Sequence, residues 1–330
     1  MTHVILEQPQ GEIPAEVVCL LLCGVAPERS TEFSTYFSHH SPRFFVSDFA
    51  RRYGGFCALD DKNHVLLAPN ATDALWFLSF AAWHGFRARV PQEVLASILP
   101  SGKARDEVLL LEDDGYHSEA TVCHDLTALA KKLMLGTVPS DTPWPDSVPF
   151  PADVINAQDD QTAHIPVEAA AVKDLSLFAI AYILLHEIRH IGFNSERAGL
   201  ARAQEELACD EFAIDQILGR AATWLPTNGS VVSPEQIIFK RSMGLLVGFF
   251  ALHGLTPNGL RGPQRNYPPL SERLIAIVDR IALPDDHQLW LFGSTLLREL
   301  QDDSDYAVLA TDNSLTTKAN FLLLANRGFY

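Results

Sequence analysis

The chain has 330 residues, 47% hydrophobic and 20% charged, which excludes disorder as its main state and supplies apolar material for a sizeable core. Lys plus Arg number 25 against 41 for Asp plus Glu, a formal net charge of −16. That balance argues against nucleic acid and against anionic membranes as partners, since both need a basic face.

No Lys or Arg precedes Arg29, so the apolar stretch Val17–Val25 lacks the basic flank of a secretory signal. The longest apolar runs, Leu177–Leu185 and Leu245–Leu252, fall short of the ~20 residues that span a bilayer and read as buried helices. Five cysteines (Cys19, Cys23, Cys57, Cys123, Cys209) follow neither a disulfide framework nor a CxxC zinc spacing. Reduced, mostly buried thiols in a cytoplasmic protein are the expectation.

In chain order, Phe56–Leu59 and His64–Ala68 flank the turn Asp60-Asp61-Lys62-Asn63 and predict a β-hairpin. Asn70-Ala71-Thr72 offers a cap for an apolar helix through about Trp83, and Leu126–Leu135 has a helical period. The proline-rich Gly136–Pro151 reads as a linker or long surface loop, which suggests a division into residues 1–150 and 151–330. Beyond it, Val167–Ile191 and Ala201–Leu218 are helical in pattern on either side of a break at Gly192–Gly199. Ser233-Pro-Glu-Gln236 is a capping box opening a helix that stops near Gly254. Tyr267-Pro-Pro269 precedes another, with Leu270, Leu274, Ile277, Val278 and Ile281 on one face. The fold class is α+β: an N-terminal α+β region followed by a mainly helical one.

The chemistry concentrates in His186-Glu187-Ile-Arg-His190, an HExxH. On a helix, positions four apart share a face, so both imidazoles can ligate one Zn2+ while Glu187 reaches a water on it. The uninterrupted run Leu175–Leu185 supports the helix, and an unpaired carboxylate in such a buried setting would cost several kcal/mol, a conflict that a metal resolves. A catalytic zinc needs a third protein ligand. Sixteen residues after His190 stands Glu206, with Asp210 four further on and on the same face. Glu206 can bind the metal while Asp210 accepts a hydrogen bond from a ligand histidine; Glu205 competes for the ligand role.

HExxH followed by ExxxD on the next helix resembles the gluzincin metallopeptidases. Glu206-Leu-Ala-Cys-Asp210-Glu-Phe-Ala213 is similar to the matching segment of ImmA/IrrE-type, HtpX-like and CAAX-processing peptidases. Tyr267-Pro-Pro-Leu-Ser-Glu-Arg273 is similar to their downstream His-Pro…Arg segment, with Tyr267 in place of the histidine. Overall, residues 165–282 most resemble the phage-exclusion Lit peptidase family. The resemblance implies a zincin-like core and a soluble zinc endopeptidase that makes limited cuts in a protein substrate in bacterial antiphage defence. Repressor cleavage of the ImmA kind is the alternative within enzymes, and a zinc-stabilised binding module that does no chemistry is the alternative outside them. Glu187 would be the general base, and Tyr267, His253 or Arg273 the donor to the oxyanion. Arg273 can equally form a salt bridge to Asp210 or Glu206.

Overall fold

Strand β1 (Gly11–Ile13) leads into helices α1 (Ala15–Val25) and α2 (Ser30–His40), which return the chain to β2 (Arg43–Val46). The expected hairpin forms: β3 (Phe56–Leu59) pairs antiparallel with β4 (His64–Leu67), Ala58 opposite Val65. The sheet order is β1-β2-β4-β3, with β2 and β4 parallel, so among the described residues β3 is an edge strand. The computed structural model describes residues 10–59, 62–88, 116–139, 142–159, 167–196, 199–224, 232–254, 268–300 and 317–328. Among these the chain is mostly helical with this one small sheet, an α+β fold.

Helix α3 runs Ala71–Arg87, one turn beyond Trp83, because Phe86 is fully buried against Phe292 at 5.5 Å between ring centroids. Asn70 precedes it in a left-handed conformation (φ 62°), and its side chain makes no capping hydrogen bond, unlike the expectation. Helix α4 (Tyr116–Leu135) packs along α3. The proline-rich segment is no free linker in its described part. Trp144 is buried against Phe77, its indole donates to Val148 O at 2.7 Å, and Trp76 donates to Pro149 O at 3.0 Å. Pro151 then opens α5 (Pro151–Asp159).

The central element is α6 (Val167–Glu196), which runs through the expected break at Gly192. By length and composition it could cross a bilayer, with a mean hydropathy of 1.5 over its apolar window, of which 61% is buried by the rest of the protein. Its neighbours explain that apolarity: α6 packs on α1, α3, β3, β4, α7 (Arg202–Leu218) and α8 (Pro234–Gly254). A helix covered all round has no polar face to keep. Close approach to α8 depends on Gly248, where a Cβ would stand 2.7 Å from Ala179 O. The capping box of α8 forms reciprocally, Gln236 N–H to Ser233 Oγ at 3.1 Å and Ser233 N–H to Gln236 Oε1 at 2.9 Å. Helices α9 (Leu270–Arg280), α10 (Gln288–Leu300) and α11 (Thr317–Gly328) complete the body. One continuous hydrophobic core runs from Val18 to Ala325, so the strands and first helices share it with the helices after Pro151.

Asp73, in the first turn of α3, is largely removed from water, and burial lifts its carboxyl to about 6 from 3.8. The folded state then binds more protons than the unfolded one between those values, so stability falls as pH rises from 4 through 6. Asp73→Asn is expected to raise stability by up to about 3 kcal/mol at pH 8 and to do nothing below pH 4. Urea titrations at the two pH values check this; an equal effect at both would contradict it.

Candidate metal centre

The two imidazoles of the HExxH lie one turn apart on α6, and α7 folds back beside them after the short connection from Glu196 to Arg202. His186, Glu187, His190, Glu206 and Asp210 are all buried. His186 Nδ1 meets Asp210 Oδ1 at 2.9 Å. An ionised carboxylate only accepts, so Nδ1 carries a proton, and in the neutral ring Nε2 is the nitrogen left with a lone pair for a metal. His190 Nδ1 is held in the same manner by Glu205 Oε1. The two Nε2 atoms are thereby brought to 3.3 Å of each other. Glu206 faces both: Oε2 is 3.4 Å from His186 Nε2 and Oε1 is 3.6 Å from His190 Nε2.

With metal–ligand bonds near ~2.0–2.1 Å, neighbouring ligand atoms of a tetrahedral site stand about 3.3–3.4 Å apart. The two Nε2 atoms are at that spacing, and the Glu206 carboxylate presents one oxygen towards each of them. A buried group of His186, His190 and Cys209, whose ligating atoms lie within 4.8 Å of one another, could also hold a metal ion. Burial, reinforced by Glu206 and Glu187, pushes the Cys209 thiol well up, away from the thiolate that metals bind. Glu206 needs no such deprotonation, since its carboxyl is held far below the usual range.

Beneath the imidazoles lies an ionic network. Asp210 accepts from Tyr182 Oη at 2.7 Å, and from Arg273 Nε at 2.6 Å and Nη2 at 2.8 Å. Arg273 Nη1 also approaches Glu206 Oε2 at 3.2 Å. Burial alone would raise the carboxyls of Asp210 and Glu206. Arg273 and His186 more than offset it, and both lie far below the usual range. Burial opposes charge on His186, yet its contacts with Asp210 and Glu206 lift its pKa to about 9. Glu205, Glu206 and Asp210 pair with the guanidiniums of Arg202 and Arg273, and Glu187 lies on the same helix as the histidines; with both imidazoles neutral, as a metal would require, these four carboxylates exceed the two guanidiniums by two charges, which one dication would neutralise.

The sheet reaches the site through β3. The Ala58 amide donates to Glu187 Oε2 at 2.7 Å, which ties that carboxylate to the strand. Ala68 N–H bonds Gly55 O, so antiparallel alternation turns the backbone groups of Phe56 and Ala58 away from β4.

Of the residues singled out from the sequence, His186, Glu187, His190, Glu206, Asp210 and Arg273 come together here. Arg273 takes the salt-bridge role, bound to Asp210 and Glu206 and buried. Tyr267 and the side chain of His253 lie outside the described residues. Glu205, the competitor for the ligand role, holds the Nδ1 of His190. Ala58, Tyr182 and Arg202 carry no sequence signal; only the packing brings them in. No curated protein and no solved structure matches the chain. A family model, Peptidase U49, matches residues 65–293, from β4 into α10 and across every residue of the ionic cluster. The match covers more than two thirds of the sequence, and the chain therefore belongs to the Peptidase U49 family, a family of proteases.

Proposed function

We propose that this protease is a zinc-dependent endopeptidase that makes limited cuts in a protein substrate. One observation carries the reading: the Nε2 atoms of His186 and His190 stand 3.3 Å apart, each with one oxygen of the buried Glu206 carboxylate 3.4 or 3.6 Å away, on the helix that also carries Glu187. Bound there, zinc would polarise the scissile carbonyl and lower the pKa of a water towards ~7. Glu187 takes the proton of the attacking water and returns it to the leaving amine as the C–N bond breaks. The Ala58 amide occupies one oxygen of Glu187 and orients the other. Asp210 and Glu205 keep both histidines in the tautomer with a free Nε2. Tyr267 is our assignment for the donor to the oxyanion.

The outward backbone groups of β3 give an extended segment of substrate a strand to pair with, so that its peptide bond is laid across Glu187. The acidic surface keeps nucleic acid and membrane out of the proposal, and its setting is the cytoplasm, in antiphage defence. A zinc held by His186, His190 and Cys209 for stability alone is the second reading; it leaves Glu187 without a task. Freshly purified protein is expected to carry about one zinc per chain, and His190→Ala to lose it. Metal analysis that found wild-type protein free of zinc would sink both readings.

A further inference from the structure

Among the charged residues of the cluster, Arg202 is the one at the rim. It opens α7, and its side chain is 36% exposed, against 4% for Arg273. Nη2 lies 2.8 Å from Glu206 Oε1 and Nη1 lies 3.0 Å from Glu205 Oε1. Glu206 Oε1 is the oxygen that faces His190 Nε2, and Glu205 is the carboxylate that holds His190 Nδ1. Arg273 takes the other oxygen, Oε2, on the His186 side. Each oxygen of the proposed ligand thus stands between one imidazole and one guanidinium.

We propose that Arg202 is a positioning residue that shares Glu206 Oε1 with the metal and weakens the site's hold on it. The inference rests on Glu206 being the third ligand. A guanidinium that hydrogen-bonds a carboxylate draws electron density from the lone pairs the metal uses. Its charge also repels a dication held on the same group. Arg202 acts in the opposite sense too, since it steadies Glu205 and through it His190. That effect is the smaller one: the His190–Glu205 contact is direct and persists without Arg202, and a partly exposed ion pair adds little orientation. Removing the charge leaves the cluster with a larger negative excess and a ligand oxygen given wholly to the metal.

The test is a titration of zinc against a competing chelator, with metal-stripped wild type, Arg202→Gln and Arg202→Lys, at low and high salt. Arg202→Gln is expected to bind zinc about tenfold more tightly at low salt, with the gap narrowing at high salt because an exposed charge is screened. Arg202→Lys, which keeps the charge, is expected to fall closer to wild type. Zinc affinity that is unchanged or weaker in Arg202→Gln overturns the proposal, as does a gap that salt leaves untouched. Glu206→Ala and His190→Ala serve as controls. If neither weakens zinc binding, the metal centre itself has failed; if both do, the Arg202 result judges Arg202 alone.

Discussion

Glu187→Gln protein is expected to fold, to keep its zinc, and to cut its substrate at least a hundredfold more slowly than wild type, with losses up to about ten-thousandfold within reach. The exchange is nearly isosteric. The amide oxygen can still accept from Ala58 N–H, so the contact between β3 and α6 survives. Only the ability to carry a proton is lost. Glu187 is buried, so trading a carboxylate for a neutral amide adds no desolvation cost. Comparison of new N-termini in cells expressing wild type and Glu187→Gln identifies the substrate, and rates on that substrate give the factor. Cleavage that continued unaltered in the variant would end the zinc-peptidase reading and leave a protease of another mechanism.

Asp210→Ala is expected to cost about 3–5 kcal/mol of stability, the range for breaking a buried ion pair from one side. Asp210 is fully buried and accepts from Tyr182, His186 and twice from Arg273. Truncation leaves the Arg273 guanidinium in the interior with Glu206 as its remaining carboxylate partner among the described residues, and takes away the acceptor of the Tyr182 hydroxyl. It also frees the His186 ring to turn, so zinc affinity falls by about 10–100-fold. Denaturant titration of metal-stripped protein isolates the first effect and chelator competition the second. A stability loss below about 1 kcal/mol would show that the network is not the anchor between α6, α7 and α9.

The parts of this site that follow from local spacing are legible in the sequence. His186, Glu187 and His190 share a helix, so their relation is fixed by 3.6 residues per turn, and Glu206 and Asp210 are placed by the same rule on the next. What the rule leaves open is the rotation of α7 against α6. That rotation decides that Glu205 meets His190 while Glu206 meets both histidines. Ala58 and Glu187 are 129 positions apart, and a backbone amide has no residue type to read. Gly192 misleads for an instructive reason. Glycine suggests a break, yet α6 continues to Glu196, and the Gly192 position is where the Tyr36 hydroxyl presses close, 2.3 Å from where a Cβ would be. Its glycine serves packing between α2 and α6 rather than chain reversal. The prolines after Gly136 suggest a linker or surface loop; what the pattern leaves out is that Trp144 packs on Phe77 and that Trp76 donates to Pro149 O.

The outward amide of an edge strand ordinarily exchanges its hydrogen with solvent freely, since no neighbouring strand shields it. Ala58 differs, because its hydrogen is held by the Glu187 carboxylate, the proposed general base. The exchange rate of that single amide therefore follows what Glu187 is doing: slow while the carboxylate is docked on β3, faster whenever the base is drawn towards a bound peptide. A site without a chromophore thus has an isotopic reporter of its own, one hydrogen bond from the reacting proton.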